Sequence, residues 1–148
     1  MLTTNLSIIV HAQWKTVWGL LLDRIENPQS YQPLVINSKV IDRSDKWVIR
    51  EVKVQDMIIR ERLTMYDGEK AIHSELLEHP QYEGTIVTRV VPSSTNNPMA
   101  PVHLVTDFKL EHKISLTGGW AVITDKEMTT ALNDEMELIK KKAEELEK

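Results

Sequence analysis

The chain has no cysteine, which excludes disulfide staples, thiolate metal sites and thiol nucleophiles together. That absence agrees with a reducing compartment. Positive charge is not in surplus either. The formal net charge is −4, whereas a nucleic-acid-binding surface needs a basic face. The one dense basic run, Lys140-Lys141-Lys142, lies among glutamates and reads as the solvated side of a helix. Long apolar runs are missing as well: nothing approaches the roughly 20 residues that span a bilayer. The N-terminus lacks the basic-then-apolar order of a secretory signal. The expectation is therefore a cytoplasmic protein, without membrane insertion and without nucleic acid as a partner. Glycine is scarce, and Gly118-Gly119, the only adjacent pair, makes no phosphate-cradling loop. His11, His73, His79, His103 and His112 show no metal-ligand spacing, and none pairs with a serine or carboxylate in a catalytic pattern.

What is present fits a single domain over residues 1–148, long enough to bury about 70% of its unfolded surface. Residues 2–10 end in Ile8-Ile9-Val10 and read as a first strand. From Gln13 to Ile25, residues Trp14, Val17, Trp18, Leu21, Leu22 and Ile25 recur at three- and four-residue spacing, one face of a helix. Asn27-Pro28 breaks it, and Pro28 suits the first turn of a short second helix. Strands are expected near 34–43, 46–54, 57–66, 69–78, 84–92 and 102–112, with Asp67-Gly68 as a two-residue hairpin turn. Residues 93–101 and 115–120 are turn-rich, and the glycines of the second make it a candidate flap beside Trp120. Thr124 with Glu127 carries a capping-box signature. After it, Met128, Leu132, Met136, Ile139, Ala143 and Leu146 mark one face of a long terminal helix.

Hairpin arithmetic separates the faces of the sheet. A two-residue turn at Gln55-Asp56 sets Val54 against Met57, Val52 against Ile59, Arg50 against Glu61 and Val48 against Leu63, all on one face. The Asp67-Gly68 turn then sets Leu63 against Ile72, Glu61 against Ser74 and Ile59 against Leu76. The opposite face, with Trp47, Glu51, Lys53, Arg60 and Arg62, is far more polar. Strand 102–112 adds Leu104, Thr106, Phe108 and Leu110, whereas strand 84–92 presents either Ile86, Thr88 and Val90 or Val87, Arg89 and Val91. The apolar face of the terminal helix is the natural cover for this surface.

The runs VWGLLLDRIENPQSYQPLV, VIREV and IIRERLTMYDGEKAIHSELLE resemble the SRPBCC superfamily of START, birch-pollen-allergen-like and polyketide-cyclase-like proteins, and within it the AtaL-like branch. The resemblance extends from about Leu6 to Leu146. It implies an α+β helix-grip fold: a curved antiparallel sheet of about seven strands wrapped around a long C-terminal helix, with two short helices after the first strand. It also implies a hydrophobic ligand cavity between sheet and helix.

The faces and the resemblance together nominate Arg50, Val52, Ile59, Glu61, Leu63, Ile72, Ser74, Leu104, Phe108, Met128, Leu132 and Met136 as cavity-lining residues. No catalytic residue, metal ligand or cofactor is expected. Arg50 and Glu61 either orient a ligand's polar group or form a structural cross-strand pair satisfied with Ser74. In the first case Arg50→Met weakens an acidic ligand far more than it affects folding. Met57, Met65, Met128 and Met136 are adaptable wall residues or plain core. Three functions follow: a non-enzymatic carrier or sensor of a lipid- or polyketide-like molecule, a cyclase or aromatase-like enzyme using the same cavity, or an interaction module whose cavity is filled.

Overall fold

Alternation along β1 (Leu2–Val10) places Leu2, Leu6, Ile8 and Val10 inward and Thr3, Asn5 and Ser7 toward solvent. The computed structural model describes residues 2–94, 96–97, 99–113 and 124–148. The elements that follow are α1 (Trp14–Glu26), a 3₁₀ turn (Pro28–Ser30), β2 (Val35–Arg43), β3 (Trp47–Val54), β4 (Met57–Tyr66), β5 (Ala71–Glu78), β6 (Tyr82–Pro92), β7 (Val102–His112) and α2 (Asp125–Leu146). The expected second helix is thus a single 3₁₀ turn, because Pro33 and the extended run after it leave no room to propagate. The seven strands form one antiparallel sheet in the order β1-β7-β6-β5-β4-β3-β2. The chain starts at one edge, crosses to the other through α1, and returns as a meander to pair β7 with β1. With α2 this is the α+β helix-grip architecture.

The β3–β4 register is the expected one, with Arg50 opposite Glu61 and Val52 opposite Ile59. Gln55 takes the left-handed conformation that the tight turn requires, at φ 55°. The β4–β5 hairpin differs. Four residues, Asp67–Lys70, connect Tyr66 to its partner Ala71, and Lys70 rather than Gly68 is left-handed, at φ 54°. Bonds from Glu69 N to the Tyr66 carbonyl and from Lys70 N to the Asp67 carbonyl, 3.1 and 3.3 Å, close a helix-like turn instead of a two-residue one. Ile72 therefore faces Met65, Ser74 faces Leu63 and Leu76 faces Glu61. The slip is two residues, so every side chain keeps its face. On β6 the even-numbered set points inward: Thr88 and Val90 are buried and Ile86 packs in the core.

The helices are tied at their ends. α2, about 33 Å long at 1.5 Å per residue, begins with the Thr124 hydroxyl accepting from Glu127 N at 3.1 Å. α1 has no capping side chain of its own. Glu144 and Glu147 at the far end of α2 supply carboxylates instead, accepting from His11 N and Gln13 N at 2.8 and 2.6 Å. Negative charge there suits the positive end of the α1 dipole.

The core has two parts. One gathers Val17, Trp18, Leu21 and Ile25 of α1 with Val48, Leu63, Ile72, Leu104, Met136 and Ile139. The other gathers Tyr82, Phe108 and Leu110 with Leu6, Ile86, Met128 and Leu132. Trp18 anchors α1, as its spacing predicts. Trp120 and the candidate flap lie outside the described residues.

Gly84 marks a place where only glycine fits. Its φ is 133°, and an added Cβ would meet the Lys109 carbonyl oxygen at 2.1 Å. Gly84→Ala is expected to lower stability by about 2 kcal/mol or more, with the loss read by urea unfolding. A change under about 0.5 kcal/mol would contradict this backbone geometry.

Candidate functional site

Two charges sit where apolar stripes should continue. On α1, Arg24 follows Val17 and Leu21 at helical spacing; on α2, Glu135 stands between Leu132 and Ile139. Each occupies the buried face of its helix, at 8% and 4% exposure. They meet as an ion pair, Arg24 Nη1 to Glu135 Oε1, and Gln32 Nε2 donates to the other carboxylate oxygen. A second buried pair lies beside it on the sheet. Arg50 Nε donates to Glu61 Oε1 at 2.8 Å and Arg50 Nη2 lies 2.7 Å from the same oxygen. The Ser74 hydroxyl donates to Glu61 Oε2 at 2.6 Å, across the diagonal of the β4–β5 ladder.

Arg50 also holds the end of α1. Its Nη1 donates to the carbonyls of Arg24 and Ile25, at 2.8 and 3.0 Å, which have no partner within the helix. One guanidinium thereby joins β3, β4 and α1. The pair is structural whatever else it does, so Arg50→Met must disturb folding, contrary to the expectation for a purely ligand-facing arginine.

A cavity of about 40 Å³ lies at this cluster, lined by Arg24, Gln32, Arg50, Glu61, Leu63, Ser74, Ile86, Thr88, Thr106, Leu132, Glu135 and Met136. It separates the two parts of the core, since Leu63 and Met136 belong to one and Ile86 and Leu132 to the other. A water needs roughly 10–15 Å³, so the space suits a small polar group rather than a whole lipid-like chain.

Of the residues nominated from sequence, Arg50, Glu61, Leu63, Ser74, Leu132 and Met136 line this cavity. Val52, Ile72, Leu104 and Phe108 are buried in the core around it, Ile59 is half-buried near the hairpin end, and Met128 packs with Tyr82 and Phe108. Of the methionines, Met136 alone among those expected on the walls lines it. Thr106 was already on the inward face, and Ile86 and Thr88 awaited the facing of β6. Arg24, Gln32 and Glu135 were missed. Their signal was a charge of opposite sign on the apolar stripe of each helix.

Burial alone would raise the Glu61 carboxyl, but the Arg50 charge and the Ser74 hydrogen bond, aided by Arg24, hold it below its ordinary value. It stays ionised. His79, buried at the turn after β5, has Nδ1 accepting from Gln81 N and Tyr82 N at 3.0 and 3.1 Å. Burial and the nearby Lys113 ammonium push its imidazole down to about 4, against a weaker pull from Glu61. Among the described residues no cluster of His, Asp and Glu has the arrangement of a metal site, and no helix is long and apolar enough to cross a membrane.

Two outcomes follow. Arg50→Met strands Glu61 without its counter-charge and is expected to cost about 3–5 kcal/mol, with much of the loss recovered in Arg50→Met/Glu61→Leu. A double-mutant cycle in urea measures it, and additive losses would contradict the pairing. The second outcome concerns pH. An unfolded chain protonates His79 near 6.5 whereas the folded one waits until about 4, so stability falls as pH drops through that window, by about 2 kcal/mol after allowance for solvent screening. Below the ordinary glutamate value of 4.5, protonation of Glu61 removes a further contribution. Unfolding free energies at stepped pH should lose the upper window in His79→Asn and keep the lower one.

A family model described as acetylaranotin biosynthesis cluster protein L, AtaL, matches residues 10–143. No curated protein matches the chain. Among solved structures, a START superfamily protein from Mycobacterium smegmatis superposes with a TM-score of 0.73 at 16% identity, covering 97% of this chain and 98% of that one. The Zhui aromatase/cyclase from a Streptomyces species gives 0.72 at 15% identity, with 97% and 93% coverage. The di-domain ARO/CYC StfQ of the steffimycin biosynthetic pathway gives 0.74 at 14% identity, covering 98% of this chain and 46% of that one. At these identities the structural likeness speaks for the fold. The family model spans nearly the whole chain, and the protein belongs to the AtaL family, with a START-like fold.

Proposed function

We propose that the protein binds a largely apolar small molecule between the sheet and α2, its polar end in the cavity at Arg24, Arg50, Glu61 and Glu135, and acts as a carrier or sensor rather than as an enzyme. One observation supports this most: a cluster of buried, mutually compensated charges borders a cavity at the seam between two apolar clusters. Apolar walls with a few convergent polar groups are the usual make-up of a small-molecule site. The ligand's body is larger than the 40 Å³ of open space. Entry therefore requires side chains to yield, and Met136, with its flexible thioether, is suited to that.

Binding is favoured over proton transfer by the state of Glu61. Both its oxygens are engaged, by Arg50 and by Ser74, and its lowered pKa leaves no proton to donate near neutrality. The START superfamily and aromatase/cyclase relatives lend the cavity reading further support, since they share the fold.

A neutral fluorescent probe, N-phenyl-1-naphthylamine, tests the reading. It is expected to bind with a Kd in the micromolar range, and Leu132→Phe, which fills the cavity from α2, should weaken it about tenfold while leaving the thermal midpoint within a few degrees. Absence of binding, or binding indifferent to Leu132→Phe, would count against a site between sheet and helix.

A further inference from the structure

Building on the ligand-binding reading, we propose that the inner end of the cavity receives an uncharged carbonyl oxygen of the ligand and turns carboxylates away. The charges around the cavity cancel in pairs, Arg24 with Glu135 and Arg50 with Glu61. Neither pair leaves an arginine whose charge is uncompensated, so an incoming carboxylate would have to compete with Glu135 or Glu61 for its counter-ion. Arg50 directs Nε and Nη2 to Glu61 and Nη1 to two helix carbonyls, and Arg24 Nη1 is held by Glu135. A ligand carboxylate would lose its water, gain no counter-ion of its own and lie beside two glutamates. An ammonium group would meet the two guanidinium groups.

The capacity that remains is hydrogen-bond donation without spare charge. Arg24 Nε is buried with no partner among the described residues. Thr88 and Thr106 face each other across the β6–β7 ladder, at 3% and 2% exposure, and both line the cavity. Among the described residues no side chain engages either hydroxyl. A hydroxyl turns to suit its neighbour, so both threonines can donate to one oxygen, and a carbonyl oxygen has two lone pairs to accept them. Buried donors left unmatched are costly, and a carbonyl answers them without upsetting the charge balance.

The test compares two ligands of equal chain length and one apolar control. Backbone amide shifts of the intact protein are titrated at neutral pH with 2-heptanone, with sodium heptanoate and with toluene. The ketone is expected to bind at least about tenfold tighter than the carboxylate, with its largest shifts at Thr88 and Thr106. In Thr88→Val/Thr106→Val the ketone's affinity should drop about threefold to tenfold, while toluene binding stays within about twofold and reports an intact cavity. Heptanoate binding as tightly as the ketone, or a ketone affinity indifferent to the double substitution, overturns the carbonyl assignment alone when toluene still binds. If neither toluene nor ketone binds, the ligand-binding reading fails and this assignment with it.

Discussion

The guanidinium of Arg50 is the point through which the sheet and the first helix are held together. It sits on β3, neutralises Glu61 on β4, and satisfies two carbonyls at the end of α1. A buried arginine is tolerable only when its donors are matched, and each of these partners is itself buried and in need of a donor. The arrangement is more a constraint on geometry than a source of stability, since well-packed apolar residues often do as well as buried ion pairs. It prescribes where α1 must end relative to the β3–β4 ladder, and so where Arg24 is delivered. Arg24 in turn meets Glu135 of α2. Two ion pairs and the side chains of Ser74 and Gln32 thus link both helices to the sheet.

That linkage explains why the interior is divided. The charged cluster cannot be packed over by hydrocarbon as closely as Leu or Val, and the two apolar clusters close around it from opposite sides. A cavity lies at their seam, with polar groups on one part of its wall and Leu63, Ile86, Leu132 and Met136 on the rest. A cavity of this kind has a polar end of fixed character and an apolar wall that can adapt. The chain shares its fold with a START superfamily protein and with aromatase/cyclases, and a shared fold does not fix use, because individual side chains set the chemistry of a site.

The helices close the structure over the sheet by borrowing from each other. α1 lacks a cap of its own and takes carboxylates from the last turns of α2, while Lys140 of α2 donates to the Ile9 carbonyl at the end of β1 at 2.8 Å. The start of α2 is bound to the sheet at the opposite end, where Tyr82 donates to Asp125 Oδ1 at 2.7 Å and His112 approaches the same oxygen at 2.9 Å. Anchored at both ends, α2 lies over the concave face as a cover.

The strands, the inward face of the meander and both principal helices were legible in the sequence because each rests on a local period, two residues in a strand and 3.6 in a helix. The pairing of Arg50 with Glu61 was legible for the same reason, as arithmetic across one short turn. The β4–β5 turn was not, since Asp67-Gly68 favours a two-residue loop and the choice of four residues depends on how β5 seats against β6. The facing of β6 was open because Ile86-Val87-Thr88-Arg89-Val90 alternates weakly in polarity. Arg24 and Glu135 show most plainly what tertiary structure decided. Each is a lone charge on an apolar stripe, 111 residues from its partner, and no local period says which distant charge will neutralise it. The sequence by itself determined the inward faces of β3, β4, β5 and β7 and the apolar stripes of both helices; only the folded chain decided the facing of β6 and which inward charges meet, because charge compensation between helices is a long-range contact that local spacing does not encode.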